Sequence, residues 1–504
     1  MGISQPRLIY PTPTSLPRNR KSTRVSLPPP IGGWNTRDDP VRMGPTDATE
    51  LVNFYPEVNE VAARRGYVEH ATGVGSGNVD TIAEFFDGTT RKLVTASATA
   101  LYDATSAGAA SSLATGFSNG QWQTAMMNGV MGLVNGEDAP QTFDGSTVAA
   151  MTVSGPTVTE LVGIHIFKSR SYFWKDNSPS FWYSASLALG GALTEFALGE
   201  VARLGGTLVR MINWTVDGGA GVDDYAVFVM SSGEVLVYTG SDPGTDYSLV
   251  GSYQIPTPMS RRGIIKLGAE IMVLTDTDIA FLPSAFNQPA PPASKLSGAL
   301  KQACPTYRNN FGWQAIYYGL RNMLILNIPV SATISEQYIV NLETGAPARF
   351  INQNARSWGV FNDELYFGGM DGRVMQADSG SNDDGENINC DARQAWLDLG
   401  SSNDKKVEAF RIVFSGSTDF NAGGEIAYDF TNANPNRAVT TAGAGLPWGS
   451  PWGSPWGSST MTVANWTLNA GYGQVLSPQV SLGVKGERPA WYRTDLLLGE
   501  APNI

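Results

Sequence analysis

The chain has 504 residues, of which 34 are Lys or Arg and 46 Asp or Glu, giving a formal net charge of −12 with only 16% charged residues. That balance excludes a protein that grips nucleic acid by neutralising phosphates, although not one that lets it slide past. The 56 glycines and 30 prolines exclude long regular helices and point to many short strands joined by tight turns, in a chain too long for one small core.

Residues 1–33 contain no acidic residue, yet carry Arg7, Arg18, Arg20, Lys21 and Arg24 among seven prolines. In an acidic protein this reads as a basic extended arm that reaches an acidic neighbour or nucleic acid, or else as a disordered terminus. The opening residues lack the apolar stretch of a signal peptide, and no segment approaches the roughly 20 apolar residues of a membrane helix, so no membrane anchor is expected.

From about residue 79 a unit recurs: a short apolar strand, a Gly/Asn/Asp turn, a second apolar strand and a polar loop. Copies begin at Thr81, Trp122, Leu161, Leu208, Ile264, Trp313 and Trp358. Their spacing of roughly 40–55 residues is near the length of a four-stranded propeller blade, and a closed ring of blades protects the hairpin edges. The expected fold is therefore all-β: a β-propeller of six or seven blades over residues 79–380. A string of β-sandwiches is the structural alternative.

The acidic segment Asp378 to Glu386 lacks the glycine and distal glutamate of an EF-hand loop and reads as a solvated loop. Beyond it, QAWLDLG, KKVEAFRIVFSG, GGEIAYDF, TMTVANWTL and WYRTDLLLG are alternating strands of a separate β domain, residues 381–504. Into this domain a loop, 446–459, inserts PWGS three times. A four-residue step fits neither the helical nor the strand period, so Trp448, Trp452 and Trp456 are expected on a loop as partner-contact residues, or on an insertion folding back on its own domain. Arg18, Arg20, Lys21 and Arg24 of the arm are the other expected contact residues.

Chemistry is sparse. There are two histidines and two cysteines, so neither a disulfide framework nor a zinc site of the usual ligands is expected, and His165 lies in the apolar run LVGIHIFK as a core or half-buried strand residue. No phosphate-cradling loop, dinucleotide fingerprint or nucleophile elbow is present. Asp223, Asp224 and Glu234 are the only tempting acid group for a propeller glycosidase, but their surroundings read as two strands joined at Ser231-Ser232-Gly233. No catalytic residue, cofactor or metal is assigned and no enzymatic activity is expected. The alternative is a carbohydrate-binding or glycoside-hydrolysing propeller.

The stretch from Gly32 to Gly73 resembles the N-terminal block of tail tube or nozzle proteins of short-tailed, podovirus-type bacteriophages. The resemblance rests on Gly33 to Pro40, Asp47-Ala48, Asn53 to Pro56 and Arg65-Gly66-Tyr67, and continues through Val134 to Ser146, Gly233 to Thr275 and, more loosely, the block from Trp396. It implies a propeller carried on a platform to which both chain ends contribute, the N-terminal share being residues 34–78. It further implies a virion tail protein forming a ring of six copies below the portal and its adaptor or head-to-tail connector ring. Genomic double-stranded DNA would leave through the central channel, and tail fibres or spikes would attach outside. The arm then reads as a clamp onto an adjacent ring or subunit, and the Trp loop as a subunit or fibre contact or, more weakly, as a constriction of the channel.

Overall fold

The computed structural model describes residues 22–217, 222–282, 293–415, 420–431, 438–439, 461–463, 465–469 and 471–499. Its strands follow from local sequence. Gln123–Met127 and Val130–Val134 pair across Asn128-Gly129, whose φ values of 50° and 76° suit the two-residue turn that this dipeptide favours. Lys168-Ser169 and Asn362-Asp363 also take positive φ at both positions between paired strands.

Seven sheets succeed one another along the chain. Their first strands are Val79–Phe86, Gln123–Met127, Leu161–Phe167, Leu208–Asp217, Ile264–Leu267, Gln314–Tyr318 and Ser357–Phe361. Each packs against the first strand of the next sheet, and Ser357–Phe361 packs back on Val79–Phe86. The ring therefore closes: the protein is a seven-bladed β-propeller, with blades 1 to 7 in chain order. Among the described residues blade 5 has three strands, and the helix Ser297–Tyr307 comes after them in the chain.

Blade 7 corrects the expected division of the chain. Tyr67–Thr72, assigned from sequence to the platform block, pairs antiparallel with Val374–Ala377 as the fourth strand of this blade, with the short Gly108–Ala109 on its far side. A propeller made from one chain has to join its ends, and the ladder between these distant segments makes that joint. Between blades, aromatic rings fill the gaps: Phe181 stacks on Phe196 and Phe228 with centroids 5.0 and 4.7 Å away. Gly163 is required there, because a Cβ would lie 2.0 Å from the Trp174 ring.

The remaining strands form the platform from both ends of the chain. In one sheet Ala490–Gly499 pairs with Lys405–Ser415 along one edge, while Thr23–Leu27 and Val61–Ala63 line its other edge. Met461–Val463 pairs with the far side of Lys405–Ser415. In the second sheet Asp47–Val52, Ile388–Gln394, Leu476–Val484 and Asn421–Tyr428 lie side by side. That sheet runs into blade 6 through the bridge between Val52 and Arg349. Phe54, Phe410 and Trp491 share one core with Ile325, Trp358 and Leu365 of blades 6 and 7, so platform and propeller are packed as one body there.

Candidate functional site

Three places combine polar chemistry with special geometry: the joint between platform and propeller, the propeller axis, and a groove beside the joint. The joint is built from the stretch that carries the family resemblance. Asn53 turns the chain at φ 55° between Asp47–Val52 and Phe54–Pro56 and is wholly buried. Its amide nitrogen donates to the Asn389 carbonyl at 2.7 Å, and its Oδ1 accepts from Arg64 Nε and the Ile351 amide, both at 2.9 Å. Arg64 then grips Asp383 through Nη1 at 2.8 Å and Nη2 at 2.6 Å, with side chains only 1% and 5% exposed. Burial pushes the Asp383 carboxyl up, against the pull of Arg64. Gly66 is demanded by close approach, since a Cβ would stand 1.7 Å from the Asn382 carbonyl oxygen.

These contacts correct in part the reading of Asp378 to Glu386 as a solvated loop: Asp384 to Glu386 are exposed, whereas Asp378 and Asp383 are held by arginines. Asp378 accepts from Arg321 Nε at 3.0 Å, Asp383 from Arg64, and Asp384 from Arg373 Nη1 at 3.0 Å. The segment is a strap whose carboxylates answer arginines that the sequence places elsewhere.

At the propeller axis four arginines converge near the starts of the first strands. Arg262, leading into blade 5, donates from Nη1 to the Asp80 carbonyl at 2.7 Å and from Nη2 to the Trp122 carbonyl at 3.0 Å. Blades 1 and 2 stand opposite blade 5 in a ring of seven, so this guanidinium spans the axis. Arg356 joins Asp80 Oδ1 at 2.8 Å and the Phe311 carbonyl at 3.0 Å. Arg261 reaches the Val162 carbonyl and Arg210 the Arg261 carbonyl, at 3.0 and 2.7 Å. Both Arg262 and Arg356 also sit over the Phe311 ring. Burial lowers Arg210 and Arg262 to about 10, with neighbouring arginines adding to the fall, and both remain cationic at neutral pH. All seven blades enter this network, which fills the axis at that end. These bonds tie the blades together across the axis.

His165 lies one layer deeper, where burial and then the charge of Arg210 lower it to about 4, so it is neutral at pH 7. Both cysteines are buried free thiols pushed up to about 12 by burial.

The groove lies between the hairpin of Phe54–Pro56 and Val61–Ala63 and the Gly319–Arg321 turn of blade 6. It has a volume of about 500 Å³ and is lined by Glu57, Glu60, Glu343, Tyr492 and the exposed Val58 and Leu320. Glu57 is paired with Arg488 at 2.7 Å, and Arg321 is turned to Asp378. Among the described residues no Lys or Arg pairs with Glu60 or Glu343; Glu60 is bonded to the Tyr492 hydroxyl.

Of the residues expected to meet partners, Trp448, Trp452, Trp456, Arg18, Arg20 and Lys21 lie outside the described residues. Arg24 stands in Thr23–Leu27 and donates Nη2 to Asp495 of its own chain at 2.8 Å, with 48% of its side chain exposed. Asp495 is fully buried and also accepts from Arg411 at 2.7 Å and Ser26 at 2.5 Å. Burial pushes its carboxyl up, but Ser26, Arg411 and the charge of Arg493 outweigh that and hold it below its ordinary range.

The carboxylates weighed for glycoside chemistry are not brought together. Asp224 is opposite Thr215 and Glu234 is opposite Gln254, while Val229 pairs with Val235. The six positions from Asp224 to Met230, beside Glu234, place the two acids roughly 20 Å apart at strand spacing, against about 5–9.5 Å in glycosidases. The Asp223 side chain lies outside the described residues. Glu234 is buried and accepts from the Leu204 and Arg203 amides and the Ser252 hydroxyl, at 2.8, 3.1 and 2.7 Å. It closes a loop end. Among the described residues no group of three or more His, Cys, Asp or Glu is placed to hold a metal ion, and no helix is long and apolar enough to cross a membrane.

Sequence reasoning passed over the axial arginines and Asp495. Arg261-Arg262 directly before an apolar strand, and one aspartate inside WYRTDLLLG, were the available signals, because a charge in an otherwise buried strand needs a partner.

No family model matches the chain, and no curated protein does. Among solved structures it is similar to the computationally designed Ika8 protein, at 8% identity and TM-score 0.36, over 65% of this chain and 95% of that one. It is also similar to YCF48 bound to D1 peptide, at 10% identity and TM-score 0.35, over 64% and 96%. BamB from Moraxella catarrhalis gives 13% identity and TM-score 0.36, over 64% and 93%. Likenesses this distant carry no argument about function, and the assignment of the propeller rests on the closure of its seven sheets.

Proposed function

We propose that the chain is a structural subunit of a phage tail nozzle, six copies of which surround a channel for double-stranded DNA below an adaptor ring. The observation that carries this reading is where the described residues next in sequence to the two unusual features lie, on one platform sheet. The basic arm enters at Thr23–Leu27 on one edge, and the segment holding the PWGS repeats borders Met461–Val463 on the opposite edge. Two different contact elements on opposite edges suit a head-to-tail interface, the kind that closes into a ring.

Two further features support it. With arginines spanning the propeller axis, the lumen of this reading would run between copies, and the net charge of −12 suits a wall that repels phosphate and lets DNA slide. On this reading Trp448, Trp452 and Trp456 meet a neighbouring subunit or a tail fibre, and no catalytic step is involved.

Negative-stain electron microscopy of the purified chain, alone and mixed with the adaptor–portal assembly, tests the proposal. Sixfold rings with an open centre are expected. A chain that stays monomeric in every mixture and does not bind the adaptor refutes it.

A further inference from the structure

The groove beside the joint presents two carboxylates, Glu60 and Glu343, with no cation on them among the described residues, next to exposed Val58 and Leu320, 51% and 66% accessible. A small cation would answer the charge and leave the apolar rim in water. A ligand that fits both has a positive side chain followed directly by apolar ones. The arm contains one such segment, Pro6-Arg7-Leu8-Ile9-Tyr10-Pro11, and no carboxylate anywhere in residues 1–33. Flanking prolines restrict the conformations open to a segment of this sequence, which lowers the entropy lost on docking.

Chain direction bears on whose arm is involved. Thr23–Leu27 runs antiparallel to Ala490–Gly499, with Thr23 opposite Leu498 and Leu27 opposite Thr494. The residues before Thr23 therefore leave past Leu498, whereas the groove abuts Tyr492 toward the other end of that strand. Those six positions put the exit roughly 20 Å from the groove and heading away from it. From Ser22 back to Arg7 an extended proline-rich segment reaches roughly 45 Å, a distance suited to an adjacent subunit.

We infer that the acidic groove between the platform hairpin and blade 6 is the docking site for the N-terminal arm of a second copy of this chain, with Arg7 between Glu60 and Glu343 and Leu8 and Ile9 against Val58 and Leu320. The identity of the second copy as a ring neighbour rests on the nozzle reading.

Two measurements on the full-length chain test this. In the first, mass photometry follows the oligomer formed by wild type, Arg7→Glu, the pair Glu60→Lys/Glu343→Lys, and all three changes together, with circular dichroism confirming the fold of each. Reversal on either side is expected to shift the population to monomer, and reversal on both to restore it. An oligomer that survives Arg7→Glu undiminished overturns the inference while leaving the ring intact. In the second, a fluorescent peptide of residues 4–15 is titrated with each protein. Saturable binding is expected, at least tenfold weaker to Glu60→Lys/Glu343→Lys and weaker in 0.5 M salt. Peptide binding by a chain that never oligomerises supports the docking site and counts against the nozzle reading. Absence of binding, or binding indifferent to the glutamate changes, overturns the docking site whatever the oligomeric state.

Discussion

Replacing Arg64 by alanine removes one half of the most buried ion pair at the joint. The guanidinium makes two bonds to Asp383, at 2.8 and 2.6 Å, one to Asn53 Oδ1 at 2.9 Å, and one each to the Arg65 and Ile351 carbonyls at 3.0 Å. Breaking a buried pair by deleting one partner costs about 3–5 kcal/mol, because the other charge is stranded. A second route bounds the same quantity. The stranded carboxylate can escape by taking up a proton, and for a carboxyl with an unfolded-state pKa near 3.9 that costs about 4 kcal/mol at pH 7, at about 1.4 kcal/mol per unit. The two agree on a loss of about 4 kcal/mol.

The second route also fixes the pH dependence. Asp383 is already raised in the folded protein, so the folded state holds its proton more tightly than the unfolded chain does. The stability from that proton is present in full below the unfolded pKa and is lost as pH rises through the folded one. Without Arg64 the carboxyl rises further, so the deficit of the variant should shrink as pH falls from 7 toward 5, by at most about 1.4 kcal/mol per unit. Urea unfolding followed by tryptophan fluorescence at pH 5, 6 and 7 measures this. Arg64→Met with Asp383→Leu should recover most of the loss, because an apolar pair leaves no buried charge. A deficit under about 1 kcal/mol, or one that does not change with pH, refutes the reasoning.

Three other outcomes follow from the geometry. Gly66→Ala should lose at least about 2 kcal/mol in the same assay, since its methyl group meets the Asn382 carbonyl and the strap cannot retreat without loosening Asp383. Arg262→Gln should cost about 3 kcal/mol and speed amide exchange in the first strands of blades 1 and 2; Arg262→Lys should recover little, because a point charge cannot span both carbonyls. Asp495→Asn should release Thr23–Leu27, seen as faster tryptic cleavage after Arg24. In the wild type that carboxyl lies below its ordinary range, so its contribution is present above the unfolded pKa of about 3.9 and lost as pH falls through the folded value. Exchange protection of residues 23–27 should therefore hold to about pH 4 and vanish below it.

Much of the fold was legible because blades are local objects. An apolar strand, a tight turn such as Asn128-Gly129 and a second apolar strand are neighbours in sequence, and the seven starts read from Thr81 to Trp358 lie on or beside the first strands of the seven blades. Gly33, Asn53 and Gly66 were singled out only by the resemblance of the N-terminal block; their backbone reasons, positive φ at Gly33 and Asn53 and the close approach of Asn382 to Gly66, came from the structure. The candidate sites were much less legible. Arg262 bonds Asp80 and Trp122 from 182 and 140 positions away, and Arg64 pairs with Asp383 across 319. No spacing rule links such pairs.

By itself, then, the sequence determined the all-β class, the repeat and its count of starts, the acidic balance and the presence of a basic, acid-free N-terminal stretch and a triple PWGS repeat, because each is a property of composition or of near neighbours. Tertiary structure alone decided that Tyr67–Thr72 closes blade 7, that arginine spans the propeller axis, that the acidic segment after Asp378 is a strap, and that a groove opens beside the joint whose Glu60 and Glu343 meet no Lys or Arg among the described residues. The physical reason is common to all four. The charge or hydrogen-bonding group on one segment is satisfied, or left unsatisfied, only by what ring closure brings to it from far along the chain.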